Sequence, residues 1–185
     1  MKRVILSLLA LALWLHAAGF YKTEATVTAI NGNSITLSNP MPYRGMSALL
    51  LRETPSGEFA LAYLRVDGAK GVIVDQDPLD GNPLATLKAA PKVGDRVVGG
   101  FLYDRVLILA PNPEIEERIK NHFGVESVES QLFKSYLFAS GTSAGASSYE
   151  GFAKLVGVGL IFLAKQGSVD IYDPITKKVI ATESY

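Results

Sequence analysis

The sequence has no cysteine and only two histidines among its 185 residues, and these absences remove several classes of site. Without cysteine there is no disulfide, no thiolate metal ligand and no lipid-modified cysteine of the kind that anchors a bacterial lipoprotein. A zinc site made by protein side chains needs about three or four nitrogen or sulfur ligands, so the two histidines are too few. The fold must therefore be stabilised by burial of apolar side chains, for which a hydrophobic content of 48% is ample.

The sequence also lacks an excess of charge of either sign. Lysine plus arginine and aspartate plus glutamate each number 18, so the formal net charge is zero. A nucleic-acid-binding protein usually carries a basic excess or a basic stripe, and we therefore expect no nucleic-acid partner. The glycine-containing segments match neither a Walker loop nor a dinucleotide fingerprint, and we expect no cofactor.

The longest apolar run lies at the N-terminus. Lys2 and Arg3 precede the apolar residues 4–15, and the small residues 17–19 follow them. The run is too short to span a bilayer comfortably, and the pattern is typical of a cleaved Sec-type signal peptide; the alternative is an uncleaved N-terminal anchor. We predict a signal peptide over residues 1–19 and export to the periplasm or the outer cell surface. No later run reaches the roughly 18 apolar residues of a membrane helix, so no integral span is expected after signal cleavage.

Residues 20–110 have the pattern of a β-rich unit. Turn signals recur about every ten residues, the clearest being Asn31-Gly32-Asn33 and residues 54–57, with segments rich in β-branched and aromatic residues between them. The predicted strands are 23–30, 34–37, 46–52, 58–66, 72–74, 97–102 and 105–109. Such a series predicts a small β-barrel-like half or a curled sheet.

Residues 111–185 change to helical periodicity. Asn112 suits an N-cap, Pro113 suits the first helical position, and Gly124 suits the end of that helix. The further predictions are a helix over 128–139, a third helix from a capping box at 147–150, a central strand at 158–164 and a terminal hairpin of 168–172 with 179–182. The fold class is therefore predicted to be α+β, with the β-rich half followed by a half of about three helices and a small antiparallel sheet.

One local pattern suggests a catalytic serine. Residues 141–145 match the G-x-S-x-G motif with Ser143 as nucleophile, but that turn requires a strand before it and a helix after it. Here the preceding segment is predicted to be helical, and His122 lies upstream of Ser143 rather than downstream. A linker is therefore favoured over a catalytic site, and His122 is interpreted as a helix-end residue near free carbonyl groups.

A second pattern suggests a cation site. Asp75, Asp77 and Asp80 place three carboxylates within six residues, as the ligands of a hard cation could be placed. However, the EF-hand spacing is broken, Pro78 intrudes and no glutamate closes the loop. A solvated loop is favoured, and these three residues remain only weak candidates for a metal site that we do not expect.

The middle of the chain resembles a known family. The segments that carry the resemblance are Val-Gly-Asp at 93–95, Leu-Tyr-Asp-Arg at 102–105, Leu-Ile-Leu-Ala-Pro-Asn at 107–112, the strand at 159–162 and the hairpin around Asp170. They are similar to the N-terminal domain of the plasminogen-binding proteins of Helicobacter-like bacteria, and the likeness extends from about Phe20. The resemblance implies an exported, non-enzymatic protein with a protein partner, either a plasminogen-like protein or a protein of the cell envelope.

In that family, plasminogen capture is attributed to lysine, because kringle domains grip a lysine side chain beside a carboxylate. The candidate ligand-binding residues that follow from this resemblance are Lys177 and Lys178, an adjacent pair in a predicted surface turn. Two alternatives remain open. The protein is an envelope scaffold or interaction module without a host ligand, or, as a more distant alternative, a serine hydrolase that uses Ser143.

Overall fold

A computed structural model describes residues 20, 22–76 and 85–185. The predicted signal peptide at 1–19 and the candidate ligands Asp77 and Asp80 lie outside the described residues. The described residues form a closed barrel, three helices and a second sheet, which confirms the predicted α+β class. No helix within these ranges combines the length and the hydropathy that crossing a membrane requires.

Six antiparallel strands close into the barrel in the spatial order β1-β2-β5-β4-β3-β6. They are β1 Thr23–Asn31, β2 Ser34–Leu37, β3 Met46–Thr54, β4 Gly57–Asp67, β5 Lys70–Asp75 and β6 Arg96–Gly99. The two predicted hairpin turns are confirmed, and Gly32 and Gly57 supply their positive φ angles of 58° and 124°. Of the two predicted alternatives, the chain adopts the barrel and not the curled sheet.

Strand β3 is buried on both faces, which accounts for its unbroken apolar run. Leu50 belongs to the main core cluster, whereas its neighbour Leu49 belongs to a separate cluster on the other face of the strand. Phe101 and Ile175, from segments that follow the barrel in sequence, pack against this separate cluster. Part of the outer face of β3 is therefore covered by segments that follow the barrel in sequence.

The second sheet has five strands in the order β11-β10-β9-β7-β8. They are β7 Arg105–Leu109, β8 Glu126–Val128, β9 Leu160–Lys165, β10 Ser168–Asp173 and β11 Lys178–Ser184. Strands β9, β10 and β11 are antiparallel neighbours, but β7 runs parallel to both β8 and β9. The sheet is therefore mixed and not antiparallel throughout, while the predicted central strand and terminal hairpin are confirmed.

The prediction that residues 105–109 form the last barrel strand is wrong. These residues form β7 and pair with the second sheet. Val106, Leu107 and Ile108 each have 0% exposure, as expected for a strand covered on both faces. Parallel pairing requires a long crossover between the partners, so the short connection that precedes β7 could not reveal it.

Three helices accompany this sheet: α1 Pro113–Phe123, α2 Ser130–Ser140 and α3 Ala146–Val156. The capping predicted for α1 is confirmed, since the Asn112 side chain accepts a hydrogen bond from the Ile115 N–H at 3.0 Å. Gly124 ends α1 in the left-handed conformation, with φ of 60°.

The capping predicted for α3 is displaced. The N-cap is Gly145, and the Ser148 hydroxyl accepts a hydrogen bond from the Gly145 N–H at 2.9 Å. Ser147 is therefore a residue of the first turn and not the cap. The predicted box places Ser147 at the cap with Glu150 reaching back to it, whereas in the structure Gly145 is the cap and Ser148 reaches back.

The helices cover opposite faces of the second sheet. On the face shared with the barrel, Phe123 at the end of α1 meets Phe162 of β9, with ring centroids 5.0 Å apart. On the other face, Phe133 of α2 and Phe152 of α3 pack in one cluster with Ile161. The main core cluster contains residues of both the barrel and the sheet, so the two halves share a core. The division into subdomains at residues 110 and 111 stays a prediction.

Candidate functional site

The turn between β10 and β11 contains Lys177 and leads directly into Lys178, the first residue of β11, and Asp173 fixes its shape. The Asp173 carboxylate oxygen Oδ1 accepts hydrogen bonds from the backbone N–H groups of Ile175 and Thr176, at 2.9 Å and 3.0 Å. This local pattern, in which an aspartate bonds the backbone just after it, is a common way to fix a turn. Lys177 completes the turn with φ of 58°, the left-handed conformation that few residues other than glycine adopt.

The other oxygen of Asp173 ties the turn to the barrel. Oδ2 accepts a hydrogen bond from the Tyr103 hydroxyl at 2.5 Å and one from the Ser47 N–H of β3 at 2.6 Å. Asp173 is 0% exposed and Tyr103 is 2% exposed, so this contact lies in the interior. Burial raises the pKa of Asp173, and burial together with the charge of Asp173 raises the pKa of Tyr103 well above its ordinary value. We call Ser47, Tyr103 and Asp173 the seam cluster.

Gly159 allows the close approach on which this packing depends. A Cβ atom at this position would lie 2.1 Å from the carbonyl oxygen of Leu102, which immediately precedes Tyr103. The Gly159 N–H donates a hydrogen bond to the Arg105 carbonyl at 3.0 Å. Any side chain at 159 would therefore push β9 away from the segment that holds Tyr103.

A small cavity lies beside the seam cluster. Its volume is about 20 Å³, and its lining includes Ser47, Tyr103, Lys154 and Gly159. A cavity of this size holds about one water molecule and no organic ligand. The cavity therefore points to tight packing of the seam and not to a substrate pocket.

Lys177 lies at one end of a chain of ion pairs. Its Nζ atom is 2.9 Å from Glu150 Oε2; Glu150 Oε1 is 3.0 Å from Lys154 Nζ; and Lys154 Nζ is 2.7 Å from Asp75 Oδ2. Burial alone would raise the pKa of Glu150, but hydrogen bonds from Lys177 and Lys154 lower it. Burial alone would likewise lower the pKa of Lys154, but hydrogen bonds to Asp75 and Glu150 raise it. The network links the turn, α3 and the end of β5.

The same network accounts for one of the predicted cation ligands. Asp75 is paired with Lys154, whereas Asp77 and Asp80 lie outside the described residues. In the described part of the chain, no group of three or more His, Cys, Asp or Glu side chains is placed to hold a metal ion. A cation at Asp75 would have to displace an ammonium group that already neutralises the carboxylate.

Lys178 differs from its neighbour. Its Cγ atom lies 3.5 Å from the position that a Cβ on Gly45 would occupy, so the aliphatic stem of the lysine rests against that glycine. The side chain is exposed, and its ammonium group forms no ion pair with another described residue. The two adjacent lysines thus have different environments: Lys177 forms an ion pair with Glu150, and Lys178 presents its charge to solvent.

An ion pair flanks Gly45, the glycine against which Lys178 rests. Gly45 N–H donates to the Val66 carbonyl at 2.8 Å, which brings the residues on either side, Arg44 and Asp67, together. Arg44 Nε is 2.9 Å from Asp67 Oδ1, and the two side chains are 92% and 58% exposed. Lys178, Arg44 and Asp67, which we call the lysine patch, therefore combine two cations and one accessible carboxylate.

The surroundings of Ser143 differ from those of a nucleophile elbow. Ser143 lies in the exposed connection between α2 and α3, so a helix precedes it, as predicted, and not the strand that the motif requires. Its carbonyl oxygen accepts a hydrogen bond from the Ser148 hydroxyl at 2.8 Å. His122 lies at the end of α1, as expected, with its ring 4.8 Å from that of Phe123.

Together, the fold and this surface describe a class of protein: a small α+β protein that presents lysine from a turn anchored in its interior. The family model for the plasminogen-binding protein pgbA N-terminal domain matches residues 60–185, and the chain therefore belongs to that family. The match begins within β4, later than the start near Phe20 that the resemblance suggests, and it includes the whole β10–β11 turn. No curated protein and no solved structure matches the chain.

Sequence reasoning missed the residues that anchor the turn. Asp173 is visible in the sequence as a turn former, but its bonds to Ser47 and Tyr103 cross 126 and 70 residues of chain. Glu150 and Lys154 could have been noticed as an acidic and a basic residue four apart on a predicted helix, a spacing that favours pairing.

Proposed function

We propose that this protein is an exported, non-enzymatic binding protein whose partner is a plasminogen-like protein, captured through Lys178. Membership of the pgbA N-terminal family supports a protein partner of this kind. The observation that carries the proposal is the exposed ammonium group of Lys178, presented at the start of β11, directly after a turn that Asp173 anchors in the protein interior.

Anchoring matters because binding costs entropy when a flexible side chain or loop becomes ordered. The β10–β11 turn is already fixed by four hydrogen bonds to Asp173, so a partner orders only the end of one lysine side chain. The stem of Lys178, resting on Gly45, is itself restrained. Asp67, which pairs with Arg44 but is 58% exposed, would be the carboxylate beside which a kringle domain recognises this lysine.

Lys177 is less suited to this role. Its ammonium group lies 2.9 Å from Glu150, and a partner that took it would leave that carboxylate with Lys154 alone. The side chain is 46% exposed, so it remains reachable, but the ion pair must first be broken. We therefore assign recognition to Lys178 and a supporting electrostatic role to Lys177.

The experiment is capture of the purified protein on immobilised plasminogen, with and without a soluble lysine analogue. We expect concentration-dependent retention that the analogue abolishes, because the analogue competes for the same lysine-recognition site. Absence of retention, or retention that the analogue does not change, contradicts the proposal. In a parallel experiment the protein is treated with a serine-reactive phosphonate. We expect no labelling at Ser143, because the protein is proposed to have no enzymatic activity.

Export is part of the proposal, because a plasminogen-like partner lies outside the cell. The positive residues, apolar run and small residues of the first 19 positions support a Sec-type signal. Limited proteolysis of intact cells, followed by detection of the protein, tests location. We expect degradation if the protein is on the outer surface and protection if it remains in the periplasm, where this partner is out of reach.

A second candidate function is an envelope interaction module without a host ligand. The observation that favours it is a set of exposed apolar side chains on α2 and α3: Phe138 is 91% exposed, Leu155 65% and Leu132 48%. Exposed apolar side chains mark a site of protein contact where they form a contiguous patch. Co-purification of a partner from the envelope fraction, lost in Phe138→Ser, would favour this function over plasminogen capture.

A further inference from the structure

Within the described ranges, strand β11 is the longer of the two edge strands of the second sheet. It spans seven residues, whereas β8 at the opposite edge spans three. Among the described residues, the only strand that pairs with β11 is β10. Such an edge offers unpaired backbone N–H and C=O groups to another strand.

A β-bulge decides which side chains of β11 share a face. The pairing with β10 shifts after Ala181, so that Ile180 is an additional residue without its own partner. In a regular strand, Lys178 and Glu183 would project from opposite faces, because side chains alternate. With the bulge, both lie on the barrel side: Lys178 rests against Gly45, and Glu183 is close enough to Tyr43 that its charge adds to the effect of burial in raising the pKa of Tyr43.

The resulting strand is complementary to itself. If two copies of β11 run antiparallel around a two-fold axis through the bulge, Lys178 of each copy faces Glu183 of the other. Val179 of each copy then faces Thr182 of the other, a β-branched pair on the opposite side of the sheet. Facing residues in an antiparallel pair must share a face, and both pairs meet that condition because of the bulge.

We propose that β11 pairs with β11 of a second copy of this chain in this register, which joins two five-stranded sheets into one. Opposite charges facing each other across antiparallel strands stabilise the pair, and like charges destabilise it. The register also gives a role to Val179, an apolar side chain that is 48% exposed in the single chain. A two-fold axis is the commonest symmetry of protein dimers.

This inference goes beyond the proposed function and constrains it. In the dimer Lys178 faces a carboxylate of the second copy, so self-association and capture of a partner through Lys178 exclude each other. The proposal of self-association and the proposal of plasminogen capture can be tested independently of each other. Glu183→Lys abolishes the self-complementary register but retains Lys178, so it removes self-association without removing the recognition lysine.

The test is sedimentation velocity over a concentration series, on the protein as it accumulates in cells, with its N-terminus identified by mass spectrometry. Three variants are compared with the parent: Lys178→Glu, Glu183→Lys and the double exchange. Each single variant places like charges opposite each other twice, so we expect its dimerisation constant to weaken at least about tenfold. Glu114→Lys, a charge change on exposed α1, is the matched control and leaves self-association unchanged.

The decisive result is an exchange of charges between chains. Chains with only Lys178→Glu and chains with only Glu183→Lys should each be monomeric, but an equimolar mixture of the two should dimerise. The double variant should dimerise by itself to the same extent as that mixture. A parent chain that is monomeric up to about 1 mM, where even a ~1 mM complex is populated, overturns the proposal. So do single variants that associate as strongly as the parent.

Discussion

Replacement of Tyr103 by phenylalanine tests the seam cluster with the smallest possible change. The substitution removes one hydroxyl group and keeps the ring, whose edge meets Phe20 at a centroid distance of 6.3 Å. Asp173 Oδ2 loses its 2.5 Å hydrogen bond and retains only the Ser47 N–H.

The expected loss follows from burial and charge. A hydrogen bond to a charged group contributes about 1.5–3 kcal/mol, and the larger values apply where neither partner reaches water. Asp173 is 0% exposed and Tyr103 is 2% exposed, so we expect a loss of about 2 kcal/mol in the free energy of unfolding. For a chain of this length, that corresponds to a melting temperature lower by about 4–8 °C.

Denaturant unfolding at neutral pH measures this loss, with Tyr43→Phe as the matched control. Tyr43 is only half-buried, and among the described residues its hydroxyl has no hydrogen-bond partner given by the structure, so we expect no measurable change. The Tyr103 hydrogen bond lowers the pKa of Asp173, which burial has raised. Removal of this hydrogen bond therefore raises the pKa of Asp173 further. The difference in the free energy of unfolding between the variant and the parent should shrink as the pH falls and the carboxyl group is protonated. A loss below about 0.5 kcal/mol, within the range of ordinary surface substitutions, refutes the reasoning.

Three further predictions concern packing and charge. Gly159→Ala places a Cβ 2.1 Å from a backbone carbonyl oxygen, and we expect a loss of at least about 3 kcal/mol or failure to fold, measured by thermal melting. Arg52→Ala leaves the 1%-exposed carboxylate of Asp95 without its partner and should cost about 3 kcal/mol in denaturant unfolding, whereas Arg44→Ala at a 92%-exposed pair should have no measurable effect. The pKa of Glu150 is lowered in the folded protein. The ionised side chain therefore stabilises the fold above its ordinary pKa of 4.5, and this contribution is lost as the pH falls through the pKa of the folded state. Glu150→Gln should be less stable than the parent at pH ~7 and equally stable in strong acid.

Local features of the fold were predictable because their causes are local. Asn31-Gly32 forms the expected hairpin turn, since glycine adopts its left-handed φ of 58° without strain. Asn112 and Gly124 delimit α1 as expected, because each satisfies helix-end groups within a few residues. The apolar β9 lies in the middle of its sheet for an equally simple reason, as both of its faces are covered.

Long-range pairing was not predictable in the same way. The residues of β7 were predicted to form the last barrel strand because they follow β6 closely in sequence. In the structure they pair with β8 and β9, which follow after helical crossovers. Strand β8 has three residues, too few for a period to be visible. Nothing near β7 in the sequence distinguishes an antiparallel return to the barrel from departure into a new sheet.

The candidate site shows the same limit. Lys177 and Lys178 are indistinguishable in sequence, and their difference depends on Glu150 for one and on Gly45 for the other. The turn beside them lies within the predicted terminal hairpin, but its anchoring in the interior depends on Ser47 and Tyr103. These contacts exist only after the barrel and the second sheet have packed together.

The most direct measurement is the affinity of immobilised plasminogen for Lys178→Ala beside that for Lys177→Ala, by biolayer interferometry. We predict that Lys178→Ala weakens binding at least about tenfold, or roughly 1.4 kcal/mol, while Lys177→Ala retains affinity within about twofold of the parent. Lys178→Arg, which retains the charge but not the shape of the ammonium group, should fall between them. Equal losses in both alanine variants, or a loss confined to Lys177→Ala, would contradict the assignment of recognition to Lys178.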